Sequence, residues 1–547
     1  MFARHEERSK HMENIMRAVK KAFATVISAA LICTAAACGV GDPNATGSTG
    51  GGDTITYALS QNPNGIFNPS LYGTDYDRAI IFNVYSRLVH VDKNQEFQPE
   101  LAESWTQSED GKTVTFKLRQ DVKWHDGEPF TADDVVYNYT ANADPDYPSG
   151  GQKFVSYLKG YKDFHEGKTK DFPGVKALDK YTVEFDFETP YPAMFSQLVD
   201  YPIFAKHIWE KVPIKQWKTD VDVLRKPVGT GPYKFKEFAD GQYVSLEANP
   251  DYFGGAPKIK NLIFKVINSE NLQAALTNGE VNIADVSDWN PSQIQAYKDA
   301  GAEIVQLPGS GGSYMGLDTT NPRLKDVKVR QALVYAADRQ SIIDSVLYGH
   351  AKATNAIANP EDPNYPKDLN EYKYDPEKAK ELLKEAGWTD TDGDGILDKD
   401  GEKFTFKIEY STNSKLNSLV APILQKNYQA IGIDASLASV DFNSLLSKLL
   451  DENQQFDGAF MGSTYRLLQY GANDFWSHWT GQGPAVTGTD LKSFGESASN
   501  YLRAQNEAAT NVWLYVADKG FVVKGVDGFD PYPYETFLTS NQWTLKK

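Results

Sequence analysis

The segment Asp375-Pro376-Glu377-Lys378-Ala379-Lys380-Glu381-Leu382-Leu383-Lys384-Glu385-Ala386-Gly387, with Phe404-Thr405-Phe406-Lys407-Ile408-Glu409-Tyr410 after it, decides the fold class. Asp375 offers a side-chain oxygen to the free N–H groups of a first helical turn, and Pro376 suits a position that needs no N–H. Ala379, Leu382, Leu383 and Ala386 recur at i, i+3, i+4 and i+7, which draws one apolar stripe on a helix. Gly387 suits the residue after its end. Phe404, Phe406, Ile408 and Tyr410 then alternate with other residues, the period of a strand. Leu419 to Ile431 reads as a further helix and Ala435 to Val440 as a further strand. Strands alternating with helices predict α/β lobes. No repeat of short fixed period interrupts them.

Upstream, Ile55, Tyr57 and Leu59 alternate with Thr54, Thr56 and Ala58, a first strand. Gln61 to Tyr76 is rich in Asn, Pro, Gly and Asp and reads as a loop. Arg78 to Val91 reads as a helix, with Ile81, Tyr85, Leu88 and Val89 near one face. Val114, Phe116 and Leu118 mark a half-buried strand, and Trp124-His125-Asp126-Gly127 a turn. Thr131-Ala132-Asp133-Asp134 has the spacing of a capping box and opens a helix through Val135 to Tyr139.

The N-terminal region has a different logic. Arg17, Lys20 and Lys21 precede a short run, Ala22 to Ala37, of apolar or small residues, the pattern of a secretory signal. The run is shorter than the roughly 20 apolar residues that a membrane span needs. Ala35-Ala36-Ala37-Cys38 resembles a bacterial lipobox. That resemblance implies cleavage before Cys38, lipid attachment to its sulfur and a membrane anchor on the extracytoplasmic face. Residues 39–53 are almost wholly Gly, Ser, Thr, Asn, Pro and Asp, a flexible tether.

Composition narrows the function classes. About 510 residues would remain after cleavage, too many for one core. The chain carries a formal charge of −17, and the basic leader makes the remainder more acidic still. Nucleic acid and basic membrane-surface binding both need the opposite sign. Cys38 is the single cysteine after the leader, so once it is acylated no disulfide, thiolate chemistry or cysteine metal cluster remains. The histidines are scattered, and neither zinc-hydrolase spacings nor Gly-x-Ser-x-Gly occur. No catalytic constellation stands out, and no cofactor is expected.

From Ala102 to Val122, ending in Phe116-Lys117-Leu118-Arg119-Gln120-Asp121-Val122, the chain resembles the signature of family 5 extracellular solute-binding proteins. Trp124 to Val135, Gly229-Thr230-Gly231-Pro232-Tyr233, Asn249 to Gly254, Leu324 to Leu333 and Tyr374 to Trp388 continue the likeness in order. The resemblance implies a periplasmic-binding-protein-like α/β fold with two main lobes, a hinge and an extra inserted domain. Residues 1–37 would be the signal peptide and 38–52 the tether. Residues 53–70, 201–308 and 521–547 would form the first lobe, 71–200 the insert and 309–520 the second lobe. Gly309-Ser310-Gly311-Gly312 would be a hinge, since glycine absorbs backbone rotation easily. The implied function is capture of an oligopeptide or peptide-like solute by lobe closure. The partners would be an ABC permease with its cytoplasmic ATPases, for a lipid-anchored monomer. Other ligand classes within the family are nickel complexes and oligosaccharides, and an exported hydrolase is the alternative outside it.

Carried over segment by segment, the family's pocket would include Gly73, Thr74 and Asp75, then Tyr157 in the insert. It would also include Phe442, Met461, Gly462, Ser463, Thr464, Tyr465 and Arg466, with Tyr515 from the return segment. Arg466 stands about where peptide binders of the family carry an Asp for the ligand α-amine; a guanidinium prefers a carboxylate. Asp75 or Asp474 would then be left for the amine, and Trp476 and Trp479 would suit stacking on sugars. Separately, Asp390, Asp392, Asp394 and Asp398, with Gly395, follow the start of a Ca²⁺ loop. Gly401, however, holds the twelfth position and a strand follows, as in a polar hairpin turn.

Overall fold

The computed structural model describes residues 53–148, 153–268, 270–286, 288–412, 414–450, 455–464, 486 and 488–546. Cys38, the leader and the tether lie outside these residues. So do Asp474, Trp476 and Trp479, and two of the proposed ligand residues, Tyr465 and Arg466. Three main sheets organise the rest. The first has seven strands, in spatial order Glu303–Leu307, Lys519–Val523, Ile283–Asp285, Thr54–Leu59, Asn261–Val266, Tyr243–Ala248 and Tyr233–Ala239. The second has six, in order Ala351–Ala353, Asn511–Ala517, Gly311–Leu317, Gly458–Thr464, Thr405–Ser411 and Asp434–Val440. A four-stranded antiparallel sheet, Ala102–Gln107, Thr113–Leu118, Thr182–Asp186 and Val175–Asp179, sits between the first two strands of the large sheet in sequence.

The fold-deciding segment forms as its sequence dictates. The helix Pro376–Glu385 is capped by Asp375, whose carboxylate accepts from the Lys378 N–H. Ala379, Leu382 and Leu383 are buried, and Gly387 adopts φ +89°. Strand Thr405–Ser411 then runs parallel to Asp434–Val440, with the helix Lys415–Gln429 between them. The helix begins four residues earlier than Leu419 because Ser414 caps it through the Asn417 N–H. Thr131 and Asp134 form the reciprocal capping box.

One expected helix is misplaced. The chain is helical over Asp75–Val84, not Arg78 to Val91, and its first turn lies in the stretch that reads as a loop. Thr74 caps it through the Asp77 N–H. At the far end the Gly231 N–H donates to the Val84 carbonyl at 2.8 Å, and Tyr85 turns extended. Leu88 is buried beyond the helix, and Val89 lies in a short strand, Val89–Val91. Gly229 and Gly231 are required there, because a Cβ on Gly229 would lie 1.9 Å from the Val84 oxygen.

The chain passes between the two large sheets twice, side by side. Leu307 pairs with Lys519 in the first sheet and Gly312 with Val516 in the second. Gly309 lies between these pairs, and a Cβ on it would meet the Ala517 carbonyl oxygen at 1.7 Å. Gly311 and Gly312 are already paired strand residues. Glycine is thus needed at Gly309 for space, not for an unusual φ.

Candidate functional site

A cavity of about 1010 Å³ opens at the carboxyl ends of two strands of the seven-stranded sheet. Open α/β sheets place ligands at such strand ends. Tyr57 and Leu59 come from strand Thr54–Leu59 and Asp285 from Ile283–Asp285. Thr74, Asp75 and Arg78 enter from the first turn of the following helix, and Asp200 and Tyr201 from the end of helix Met194–Asp200. Ser310 and Lys519 come from the two crossings between sheets, and Tyr534, Thr536 and Phe537 from the C-terminal segment.

The wall is held by hydrogen bonds that the sequence accounts for locally. The buried Asp77 carboxylate accepts from the Gly65 N–H at 2.9 Å, the Ile66 N–H at 3.3 Å and the Thr74 hydroxyl at 2.6 Å. One side chain therefore fixes the loop Gln61 to Gly73 to the helix that follows. Burial pushes the Asp77 carboxyl up, against these hydrogen bonds. At the cavity floor the Tyr57 hydroxyl donates to Asp285 Oδ2 at 2.9 Å, and Lys519 Nζ donates to Thr536 Oγ1 at 3.0 Å. Asp285 reaches solvent through the cavity but is enclosed by protein otherwise. Desolvation raises its pKa, opposed by Lys519, and lowers that of Lys519. Arg78 lies 3.7 Å from Asp200 and stacks over the Phe82 ring at 3.9 Å.

Behind this wall, Arg87 bridges two buried carboxylates. Its Nε donates to Glu100 Oε2 at 3.0 Å, and its Nη1 donates to Glu535 and to the Val199 carbonyl. Val199 lines the cavity and Glu535 lies between its lining residues Tyr534 and Thr536. The network joins three distant pieces of chain around the cavity.

Gly73, Thr74 and Asp75 stand on the cavity wall, and the Thr74 hydroxyl is engaged as a helix cap. The other expected ligand residues do not line it. Tyr157 is stacked on Tyr191 with centroids 4.1 Å apart. Phe442 is exposed at the start of helix Phe442–Leu450. Met461 packs with Leu445, Leu449 and Trp513. Gly462, Ser463 and Thr464 pair with Ser313, Gly312 and Gly311, so this strand ends beside the crossing that carries Ser310. Tyr515 is corrected to a core residue: it is 2% exposed and packs inside the six-stranded lobe. Tyr57, Arg78, Asp200, Asp285, Lys519 and Phe537 carry no local motif, because only the sheet crossings bring them together.

The acidic turn is partly neutralised by one lysine. Asp390, Asp392 and Asp398 place carboxylate oxygens near one another, but Lys403 Nζ lies 2.7 Å from Asp392 and 3.0 Å from Asp394. Asp390 accepts from the Gly393 and Gly395 N–H groups, and Asp398 from Thr391. A lysine ammonium and backbone donors thus share these carboxylates. Among the described residues, no helix is long and apolar enough to cross a membrane.

Comparison with known proteins agrees with this architecture. Residues 96–485 match the model of the bacterial extracellular solute-binding proteins, family 5 middle region. The chain is 35% identical over 519 residues to the oligopeptide-binding protein AppA of Bacillus subtilis, covering 91% of this chain and 92% of that one. It is 31% identical over 422 residues to the dipeptide-binding protein of Escherichia coli, 74% of each chain. The solved structure of Bacillus subtilis AppA in complex with a nonapeptide superposes with a TM-score of 0.70 at 28% identity, over 90% of this chain and 99% of the other. A seven-stranded and a six-stranded sheet joined by paired crossings, and a match over most of the length, lead to one conclusion: the chain belongs to the bacterial extracellular solute-binding proteins of family 5.

Proposed function

We propose that this protein is the substrate-capturing component of an ABC importer for oligopeptides. The observation that carries this is the 35% identity to an oligopeptide-binding protein along 91% of the chain. The cavity beside the sheet crossings supports it, since main-chain groups of a peptide can be matched by the Ser, Thr and Tyr hydroxyls that line it. Residues 53–70, 201–308 and 521–547 act as one lobe, 309–520 as the other, and 71–200 as the insert. The paired crossings at Gly309–Gly312 and Ala517–Lys519 serve as the hinge. Closure is a population shift, so the ligand must touch both lobes to favour the shut state. The second lobe presents the end of strand Gly458–Thr464, and Arg466 grips a ligand carboxylate. Cys38 carries the lipid that holds the protein, as a monomer, at the outer face of the membrane beside its permease. The protein holds its cargo without breaking bonds in it.

The test is mass spectrometry of whatever co-purifies with the full-length protein, followed by calorimetry with synthetic peptides of the recovered lengths. Recovery of peptides, with closure visible as a smaller radius of gyration in solution scattering, is the expected result. Recovery of a nickel complex or a glycan, with no peptide binding, refutes the reading. Loss of labelled fatty acid from Cys38→Ala cells, but not from wild type, tests the anchor.

A further inference from the structure

Two turns of the insert reach across to the second lobe. The hairpin of Val89–Val91 with Phe97–Pro99 stands at the cavity rim, where Val91 is a lining residue. From its turn, Gln95 Nε2 donates to the Glu361 carbonyl at 3.1 Å. From the end of strand Ala102–Gln107, Gln107 Nε2 donates to the Thr489 carbonyl at 3.1 Å. The turn after that strand lies against the same residue: a Cβ on Gly111 would come to 2.3 Å from the Thr489 oxygen. Both acceptors are seated in the second lobe by further bonds. The Glu361 N–H donates to Asn359 Oδ1 at 2.9 Å, and Asn359 Nδ2 donates to the Gly309 carbonyl at 2.6 Å, at the crossing between sheets. The Thr489 N–H donates to Ser493 Oγ at 3.1 Å, in the first turn of helix Leu491–Ala508. Gln95 holds its place at a cost, since its backbone lies in the left-handed region at φ +65°, where glycine is at ease. Strain of this kind persists only where the surroundings impose it, and it gathers at ligand clamps and switches.

We propose that Gln95 and Gln107 form a latch that fastens the insert to the second lobe when the cleft shuts, and so set how long a bound solute is kept. This rests on the reading of the protein as a peptide binder that closes about the crossings at Gly309–Gly312 and Ala517–Lys519. The Gln95 contact lies on the cavity side of those crossings, so opening the cleft pulls it apart. Both acceptors are main-chain carbonyls, and neither glutamine lines the cavity. The latch therefore stabilises the shut state whatever side chains the cargo carries. A contact made in the shut state alone slows release and leaves capture by the open state untouched.

Stopped-flow release of a dansyl-labelled pentapeptide, Ala-Ala-Phe-Ala-Ala, chased with the unlabelled peptide, tests this on the full-length protein. The double variant Gln95→Gly, Gln107→Ala should release it about tenfold faster than wild type, the worth of two neutral hydrogen bonds, with association changed by less than about twofold. Gln95→Gly alone relieves the strained backbone, so it should speed release without lowering the thermal unfolding midpoint. A role in the fold alone would move midpoint and release together, so faster release with a lowered midpoint overturns the latch. Unchanged release from the double variant also overturns it and leaves the peptide reading standing. A wild-type protein that binds no peptide overturns that reading, and the latch with it.

Discussion

Replacing Arg87 by Met should destabilise the fold strongly and make the loss depend on pH. The guanidinium is 5% exposed, and its partners Glu100 and Glu535 are 8% and 2% exposed. Methionine matches the aliphatic stem but leaves two buried carboxylates without a cation. Breaking a buried pair by removing one partner costs about 3–5 kcal/mol, a large share of a typical stability of about 5–15 kcal/mol. Burial raises the pKa of both Glu100 and Glu535 even with Arg87 present. A carboxyl raised in the folded state binds more protons folded than unfolded, so its contribution falls as pH rises from the unfolded value, about 4.3, through the folded one. Without Arg87 both folded values climb further, and the penalty extends toward neutrality. Urea unfolding of the variant should therefore show the full loss at pH 7.5 and a smaller one at pH 5. Adding Glu535→Gln should recover part of it at pH 7.5. A loss under about 1 kcal/mol, or one of equal size at both pH values, would refute the reasoning.

Three further outcomes are expected. His125 Nε2 donates to the Gly231 carbonyl while Nδ1 accepts from the Gly229 N–H, a geometry that only the neutral ring satisfies, and burial lowers its pKa to about 4. The unfolded chain therefore binds that proton first: stability is complete above about 6.5 and lost as pH falls toward the folded value. The unfolding free energy of wild type should drop relative to His125→Gln by up to about 3 kcal/mol across that window, and parallel pH curves would count against it. Gly309→Ala forces a methyl group to 1.7 Å from the Ala517 carbonyl unless the crossing shifts, so the unfolding midpoint should fall by an amount equivalent to about 3 kcal/mol; an unchanged midpoint would show that the crossing yields freely. Asp77→Ala leaves the Gly65 and Ile66 N–H groups without their acceptor, at about 1–3 kcal/mol. Hydrogen exchange should quicken in the loop Gln61 to Gly73 and peptide affinity should fall, whereas unchanged exchange would mean that the loop is held by other contacts.

Where the sequence carried a local cause, its reading matched the structure closely. Asp375, Pro376 and Gly387 punctuate a helix, and Phe406, Ile408 and Tyr410 a strand, because caps, proline and side-chain alternation act over a few residues. Thr74 and Asp77 also had the spacing of a cap, a signal lost among the polar residues of Gln61 to Tyr76. The stop at Val84 was not readable: it is set by Gly231, which donates to it from 147 positions along the chain.

The sequence by itself determined the class of the protein. Its alternating elements specify α/β lobes, because caps and side-chain periodicity act over a few residues, and its ordered landmarks carry the resemblance to a solute-binding family. Only the tertiary structure decided where the candidate cavity lies. Tyr57, Asp200, Asp285, Lys519 and Phe537 are far apart in sequence and share no pattern. They meet because two strand ends, one helix terminus and a returning crossing converge, and that convergence is fixed by long-range pairing.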